Sequence, residues 1–494
     1  MDRLACPRST ASRGGVPVAL SRPALLACIF LALGLALAGQ GHTQPAGAPA
    51  GGTPPAASGT TGGSAGAAPP GAATDAGTGA GQPLPSPEPS QDILIEGIGF
   101  SKLTLQLQGA QAQGTSSDLE FTRLEGLLEK NLCWSGVFNL AGGQSRFCAL
   151  TSPVQRTDMK LDLAAQGDAL TLRLKDAGPA QLVLYQDQLP LKATTREAQV
   201  MDLVNHMTER ITGQPGLLGS TIAFSLREPG FAKVIAATNT QGQRLELLSH
   251  NQDINLLPRW SPSGTSLVYT ILSHTGSRVY FQNLVRGSSG DGPSRFLTPP
   301  GSLNTGGAFS PDGHKLVLTM SPHQNADLYE YDLTTDHVRQ VTSRLGIETQ
   351  ADWSAQGNQL TFVSDRAGSP QVYLMDLGTG EDLRLTFDGP YNTDPRFSPD
   401  GRLILFTKRV DGKDEVYIMD TNGDNVRPVT RSRFDNEQAE WSPDGRQIVF
   451  ASNRTGDFKL YVVSADGSAL RRLTSTPAGY DESNPSWTRY RLIR

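Results

Sequence analysis

From about residue 217 onward, apolar residues fall in short runs that alternate with polar ones at period two, and the runs recur. An aromatic-Ser-x-x-Gly unit stands at Trp260–Gly264, Phe309–Gly313, Trp353–Gly357, Phe397–Gly401 and Trp441–Gly445. A tyrosine follows each aromatic by 20 residues (Tyr280, Tyr329, Tyr373, Tyr417, Tyr461). Threonines 44 residues apart close the units: Thr298, Thr342, Thr386, Thr430 and Thr474. Each unit parses as four short strands, here A to D. Strand A ends in the aromatic-Ser pair, and Pro-Asp-Gly supplies a tight turn into strand B, because Pro presets φ and Gly accepts φ > 0. Four strands in this span is the period of a β-propeller blade. Residues 221–250 offer strands B, C and D without an A strand, and Asn484–Trp487 offers an A strand alone. Joining the two closes the ring at six blades and removes its open edges. Core packing accounts for the repeated aromatics and tyrosines.

Upstream, the pattern changes. Leu103, Leu105 and Leu107 alternate, as do Leu170, Leu172 and Leu174, which predicts half-buried strands. A helix is expected over about 118–132, with Phe121, Leu124, Leu128 and Leu132 on one face and Ser117 with Glu120 as a capping box. A second is expected over about 196–211, capped by Thr194 and Glu197 and ended by Gly213; Val200, Leu203, Val204, Met207 and Ile211 form its stripe. The expected fold is therefore multidomain: a small α/β N-terminal domain at 91–216, then an all-β six-bladed β-propeller at 217–494.

The N-terminus reads as an address. Arg3, Arg8, Arg13 and Arg22 precede the apolar run 23–38, and Ala36-Leu37-Ala38 is a small-x-small cleavage site, so 1–38 is expected to be a signal peptide. The run falls short of the ~20 residues a spanning helix needs, so the mature chain is expected in the periplasm, peripheral to envelope membranes. Residues 39–90 are a Gly/Ala/Pro linker with no aromatic, too poor in apolar surface to offset chain entropy. Signal removal leaves Cys133 and Cys148, an even pair in one small domain, and an oxidising compartment favours a bridge between them over two buried thiols.

Net charge is −5 and pI about 5.9, which argues against a general nucleic-acid binder. Outside the Gly/Ala/Pro linker there is no G-x-S-x-G elbow, and the chain has no P-loop or H-E-x-x-H; the seven histidines are scattered. The Asp residues of the Pro-Asp-Gly turns recur because the turn needs them, rather than as metal ligands. No enzyme, metal or cofactor is expected. A binding role remains, and the alternatives are cell-wall glycan, another envelope protein, or the propeller of a peptidase that has lost its catalytic domain.

In a four-stranded blade the D-to-A and B-to-C loops share one face, and the Pro-Asp-Gly turns lie on the other. Five and four places before each aromatic, the D-to-A loops read Asn255-Leu256, Asn304-Thr305, Glu348-Thr349, Asn392-Thr393, Asn436-Glu437 and Glu482-Ser483. The B-to-C loops add Arg366, Arg409 and Arg454. Loop-backbone satisfaction explains any one such residue, but the ring is expected to form a socket for a folded partner or a peptide.

The order of signal, α/β domain and six-bladed propeller resembles the TolB family of the Tol–Pal system. The most specific match is the junction Ile211-Thr212-Gly213 with Gly216, followed by Ser220-Thr-Ile-Ala-Phe224. The resemblance implies a non-enzymatic periplasmic protein that supports outer-membrane integrity and constriction during division. It would bind the lipoprotein Pal through the propeller and TolA through its mature N-terminus. Thr349 and Leu303 match contact positions on the family's Pal-binding face, with Leu303 replacing a histidine. The long linker departs from the family, so no residue is assigned to TolA. Arginine at Thr349 or Asn392 is expected to weaken docking without unfolding the protein.

Overall fold

The computed structural model describes residues 102–108, 117–141, 157–166, 169–190, 196–284, 293–323 and 325–492. The signal segment, the linker, Cys148 and the Thr194 cap lie outside these residues, as does the Ser117 side chain. The described residues fall within one compact unit.

The α/β part is a five-stranded sheet with two helices. Its elements are β1 (Leu103–Gln108), α1 (Ser117–Trp134), β2 (Phe138–Leu140), β3 (Met159–Gln166), β4 (Ala169–Asp176), β5 (Val183–Pro190) and α2 (Arg196–Thr212). The strand order is β2-β1-β3-β4-β5, parallel on both sides of β1 and antiparallel from β3 to β5. The expected stripes meet here: Leu124, Leu128 and Leu132 of α1 and Val200, Leu203, Val204 and Met207 of α2 are buried with Leu161, Leu170, Leu172 and Leu174. Gly213 ends α2 at φ +68°, a conformation that favours glycine, and its N–H donates to Glu209 O at 2.8 Å. Cys133, buried in α1, is disulfide-bonded.

The rest is a six-bladed propeller of four-stranded antiparallel sheets. Blade 1 is the composite: its inner strand is Asp481–Thr488, hydrogen-bonded to Thr221–Arg227, and Lys233–Asn239 and Leu245–Leu247 lie outside. The inner strands of blades 2 to 6 are Ile254–Trp260, Asn304–Phe309, Glu348–Trp353, Asn392–Phe397 and Asn436–Trp441.

The repeated residues hold blades together. Trp260, Trp353 and Trp441 donate their indole N–H to the inner strand of the preceding blade, at Ser486 O, Ala308 O and Arg396 O (3.1–3.3 Å). The closing threonines Thr298, Thr342, Thr386 and Thr430 each accept a strand C N–H at 2.9 Å, and Ser249 does so in blade 1 at 2.8 Å. In the turns, Asp312 accepts from Ser310 Oγ (2.5 Å) and His314 N–H (3.0 Å), so its carboxylate is spent on bracing the turn.

The α/β part packs on the Pro-Asp-Gly side. Gln447 donates to Trp134 O at 3.3 Å, and the Trp134 ring centroid lies 4.5 Å from Lys130 Nζ and 4.4 Å from the guanidinium of the half-buried Arg471. Asn205 of α2 exchanges two 3.0 Å bonds with the Leu218 backbone.

Candidate functional site

The side of the propeller away from the α/β part carries the D-to-A and B-to-C loops. The structure brings the predicted ring residues together there, but most of them are inside the wall rather than on it. Asn255, Asn304, Glu348, Asn392, Asn436 and Glu482 are each 0% exposed. The side chains of Asn255, Asn304, Asn392, Asn436 and Glu482 tie the loop onto the preceding blade. Asn304 donates to Ser277 O (3.1 Å) and Pro299 O (3.0 Å), Asn392 to Gln371 Oε1 (2.9 Å) and Asn436 to Glu415 Oε2 (2.8 Å). Asn255 donates to Lys233 O at 3.2 Å, and Glu482 accepts the Leu460 N–H at 2.8 Å. The next positions are also closed: Leu256, Thr305, Thr349, Thr393 and Ser483 are buried, and only Glu437 keeps solvent access. Arginine at Thr349 or Asn392 would therefore have to displace packed structure, so the expectation that it spares the fold is overturned.

The loop arginines are likewise engaged. Arg366 pairs with Glu348 (3.3 Å) and Asp382 and lies 3.8 Å over the Tyr373 ring. Arg409 forms a bidentate pair with Asp414, both bonds 2.8 Å, beside Tyr391. Arg454 donates to Asn436 Oδ1 at 2.8 Å and stacks on Tyr461.

The position one step earlier, six before each aromatic, is more open: Ile254 is exposed, and Leu303, Ile347, Tyr391, Asp435 and Asp481 are half-buried. Four consecutive blades present an apolar group and two present an acid. Of the predicted residues, Leu303 alone belongs to this rim. Around it, Leu345 (93% exposed), Phe387 (73%) and Phe231 (68%) are the three most exposed large apolar side chains among the described residues.

The rim opens on the central channel. The residue three places before the aromatic has positive φ in every inner strand: Leu257, Gly306, Gln350, Asp394, Gln438 and Asn484, at a register shift in each blade. These bulges interrupt the alternation of the strand and let neighbours bond across blades: Gln350 Nε2 donates to Asp394 Oδ1 at 2.7 Å, and Asn484 N–H to Gln438 Oε1 at 2.9 Å. Deeper, Arg259 pairs with Glu440, Arg396 lies 3.6 Å from the same carboxylate, and Asp352 accepts the Phe397 N–H at 2.9 Å. Burial pushes Asp352 up to about 6 and Asp394 up to about 7, against the pull of Arg259. Burial, then Asp414, Asp394 and Asp435, push Glu437 up to about 8. The turn-side end of the channel widens into a cavity of about 390 Å³ lined by Arg259, Asp352, Glu440, Arg489 and Tyr490 among others. Among the described residues, no group of three or more His, Cys, Asp or Glu is placed to hold a metal.

The sequence profile of the TolB beta propeller domain matches residues 208–491, more than half of the chain. The chain belongs to the TolB propeller family. The Tol-Pal system protein TolB of Desulfosudis oleivorans is 31% identical over 177 residues, covering 36% of this chain and 39% of the relative. The TolB homolog of Chlorobium luteolum is 29% identical over 281 residues, 53% of this chain and 62% of its own length. The match thus spans less than two thirds of these curated relatives. The crystal structure of TolB from Acinetobacter baumannii superposes with a TM-score of 0.63 at 26% identity, covering 78% of this chain and 97% of that one.

Within this TolB-family propeller, the residues that sequence reasoning missed are Ile254, Ile347, Tyr391, Asp435 and Asp481. Counting back six places instead of five and four would have found them, since an apolar residue beside a repeated buried Asn or Glu is a local departure from a polar loop.

Proposed function

We propose that this protein is a non-enzymatic, periplasmic component of the Tol–Pal system that binds the lipoprotein Pal on the channel-mouth face of its propeller and links to TolA. Family membership and the Tol-Pal names of its curated relatives support the system. A disulfide-bonded Cys133 fits an oxidising compartment, and among the described residues no helix is long and apolar enough to cross a membrane. The reading is carried by one observation: Leu345, Phe387 and Phe231 stand exposed around a half-apolar rim, on the side that the α/β part leaves uncovered. Exposed apolar groups ringed by polar ones are the anatomy of a protein interface. No surface is assigned to TolA.

The test is calorimetric binding of the soluble Pal domain. Leu345→Asp with Phe387→Asp should weaken it at least tenfold, about 1.4 kcal/mol, with an unchanged melting temperature because both side chains are exposed. Arg402→Glu, on an exposed residue of the turn face, should bind as wild type. Normal binding by the rim double variant and loss by the turn variant would place the interface on the other side.

A further inference from the structure

One position breaks the six-fold pattern of the inner strands. Where the other blades have Leu256, Thr305, Thr349, Thr393 and Ser483, all buried and uncharged, blade 6 has Glu437, half-buried at the channel mouth. Among the described residues, its carboxylate makes no hydrogen bond or ion pair. The acids around it do: Asp394 accepts from Gln350 Nε2, Asp414 holds Arg409, and Asp435 pairs with Lys413 (3.3 Å) and accepts from Asn453 Nδ2 (2.7 Å). The base closest in influence, Lys233 of blade 1, is turned to Ser483 Oγ at 3.0 Å.

We propose that the protein partner seated on this face inserts one lysine or arginine side chain into the channel mouth against Glu437. The inference rests on the docking reading above and deepens it. The rim supplies apolar contact through Ile254, Leu303, Ile347 and Tyr391 over four blades. It leaves one unmatched carboxylate, with Asp435 and Asp481, on the remaining side, so charge complementarity fixes which of six rotations the partner adopts. At a face that docking would dehydrate, this side chain holds its charge only against a cation and otherwise keeps its proton.

A proton accompanies the step. The groups that act on Glu437 are Asp394 from the inner strand of blade 5, Asp414 from its third strand, Asp435 from the loop entering blade 6, and Lys233 from blade 1; Tyr391 and Arg409 of the rim are coupled to it in turn. Burial and the three acids raise Glu437 to about 8, so at neutral pH the free side chain is largely protonated. The arriving cation favours the carboxylate, and the proton leaves to solvent. Affinity should therefore rise with pH, by up to about tenfold per unit below pH ~8, and level off above it.

The experiment is calorimetry of the soluble Pal domain at pH 6, 7, 8 and 9, in buffers of different ionisation enthalpy, with wild type, Glu437→Gln and Glu437→Thr. The second variant installs the residue of three other blades and guards against a folding defect. Wild type should release close to one more proton on binding than either variant at pH 7, and the variants should bind more weakly at pH 9, where only wild type carries the charge. Equal proton release and equal affinity across the three proteins would overturn the inference and leave the docking reading standing. Absence of Pal binding in all three removes the docking reading and this inference with it.

Discussion

Replacing Asn436 by alanine separates a structural ring from a contact ring. Asn436 is 0% exposed, donates from Nδ2 to Glu415 (2.8 Å) and Ser432 Oγ (2.8 Å), and accepts from Arg454 Nη2 at 2.8 Å. Two of these bonds involve charged partners, and such bonds contribute ~1.5–3 kcal/mol each, so the substitution should cost about 3–5 kcal/mol. Glu415 keeps Thr430 Oγ1 and the Ser432 N–H, and Arg454 keeps Ser452 Oγ, which holds the cost below the full loss of two buried charges. A domain of this size loses roughly 2–4 °C per kcal/mol, so the melting temperature should fall by about 10 °C. Asn436→Asp should be worse than alanine, because it sets a second carboxylate against Glu415. Scanning calorimetry reads both variants. Partner affinity of the folded fraction at 20 °C should stay within about twofold of wild type, since the Asn436 side chain is buried beneath the rim and offers a partner no contact of its own. An unchanged melting temperature together with lost Pal binding would refute the argument and return Asn436 to the surface.

Two further outcomes follow from the same geometry. Deleting 480–494 removes the inner strand of blade 1, together with Trp487, whose indole N–H donates to Ser220 Oγ at 2.8 Å, and bares backbone groups on two edges; a thermal midpoint equal to the full chain's would show that the ring does not depend on this strand. Stability should also fall as pH rises from about 4 to 8: Glu437, Asp394 and Asp352 have folded values raised to about 8, 7 and 6 from ordinary values of 4.5 and 3.8, so the folded state holds protons that the unfolded chain has released. Urea midpoints should be higher at pH 5 than at pH 8.5, with a smaller difference in Glu437→Gln, and a midpoint that rises over this window would contradict the assignment.

The architecture was legible because its signals are local. A Pro-Asp-Gly turn, a threonine that accepts a strand C N–H and an indole that reaches the preceding blade each recur within one unit, so spacing alone yields blades and their closure. The two α/β helices were legible for a similar reason: their apolar stripes survive as the buried faces of α1 and α2. The direction in which the ring side chains point was not legible. Every inner strand takes positive φ three places before its aromatic, yet only Gly306 among the six is a glycine; Leu257, Gln350 and Gln438 adopt the same conformation because the bulge and their neighbours require it. Such a bulge breaks the period-two rule where the loop meets the strand, so counting back from the aromatic could not tell wall from surface. The N-terminal reading, from signal to linker, lies outside the described residues and rests on sequence alone.

Repetition itself was the misleading cue. A residue type that recurs in most units of a closed repeat serves what every unit needs, and every unit needs its loop tied to the previous blade. That is what Asn255, Asn304, Asn392 and Asn436 do, with Glu482 in their place in blade 1; in blade 4 the Glu348 N–H makes the tie, donating to Ala326 O at 2.7 Å, while its carboxylate pairs with Arg366 of the same blade. A partner without six-fold symmetry cannot bind six equivalent positions equally. It must distinguish blades, and it can do so only through positions where the repeat departs from itself. On this face those are the rim, apolar at Ile254, Leu303, Ile347 and Tyr391 but acidic at Asp435 and Asp481; the exposed Leu345 and Phe387 on two of the six connecting loops; and Glu437 where every other blade has an uncharged residue. In a propeller of this kind the scaffold is found by looking for what repeats, and the binding site by looking for what does not.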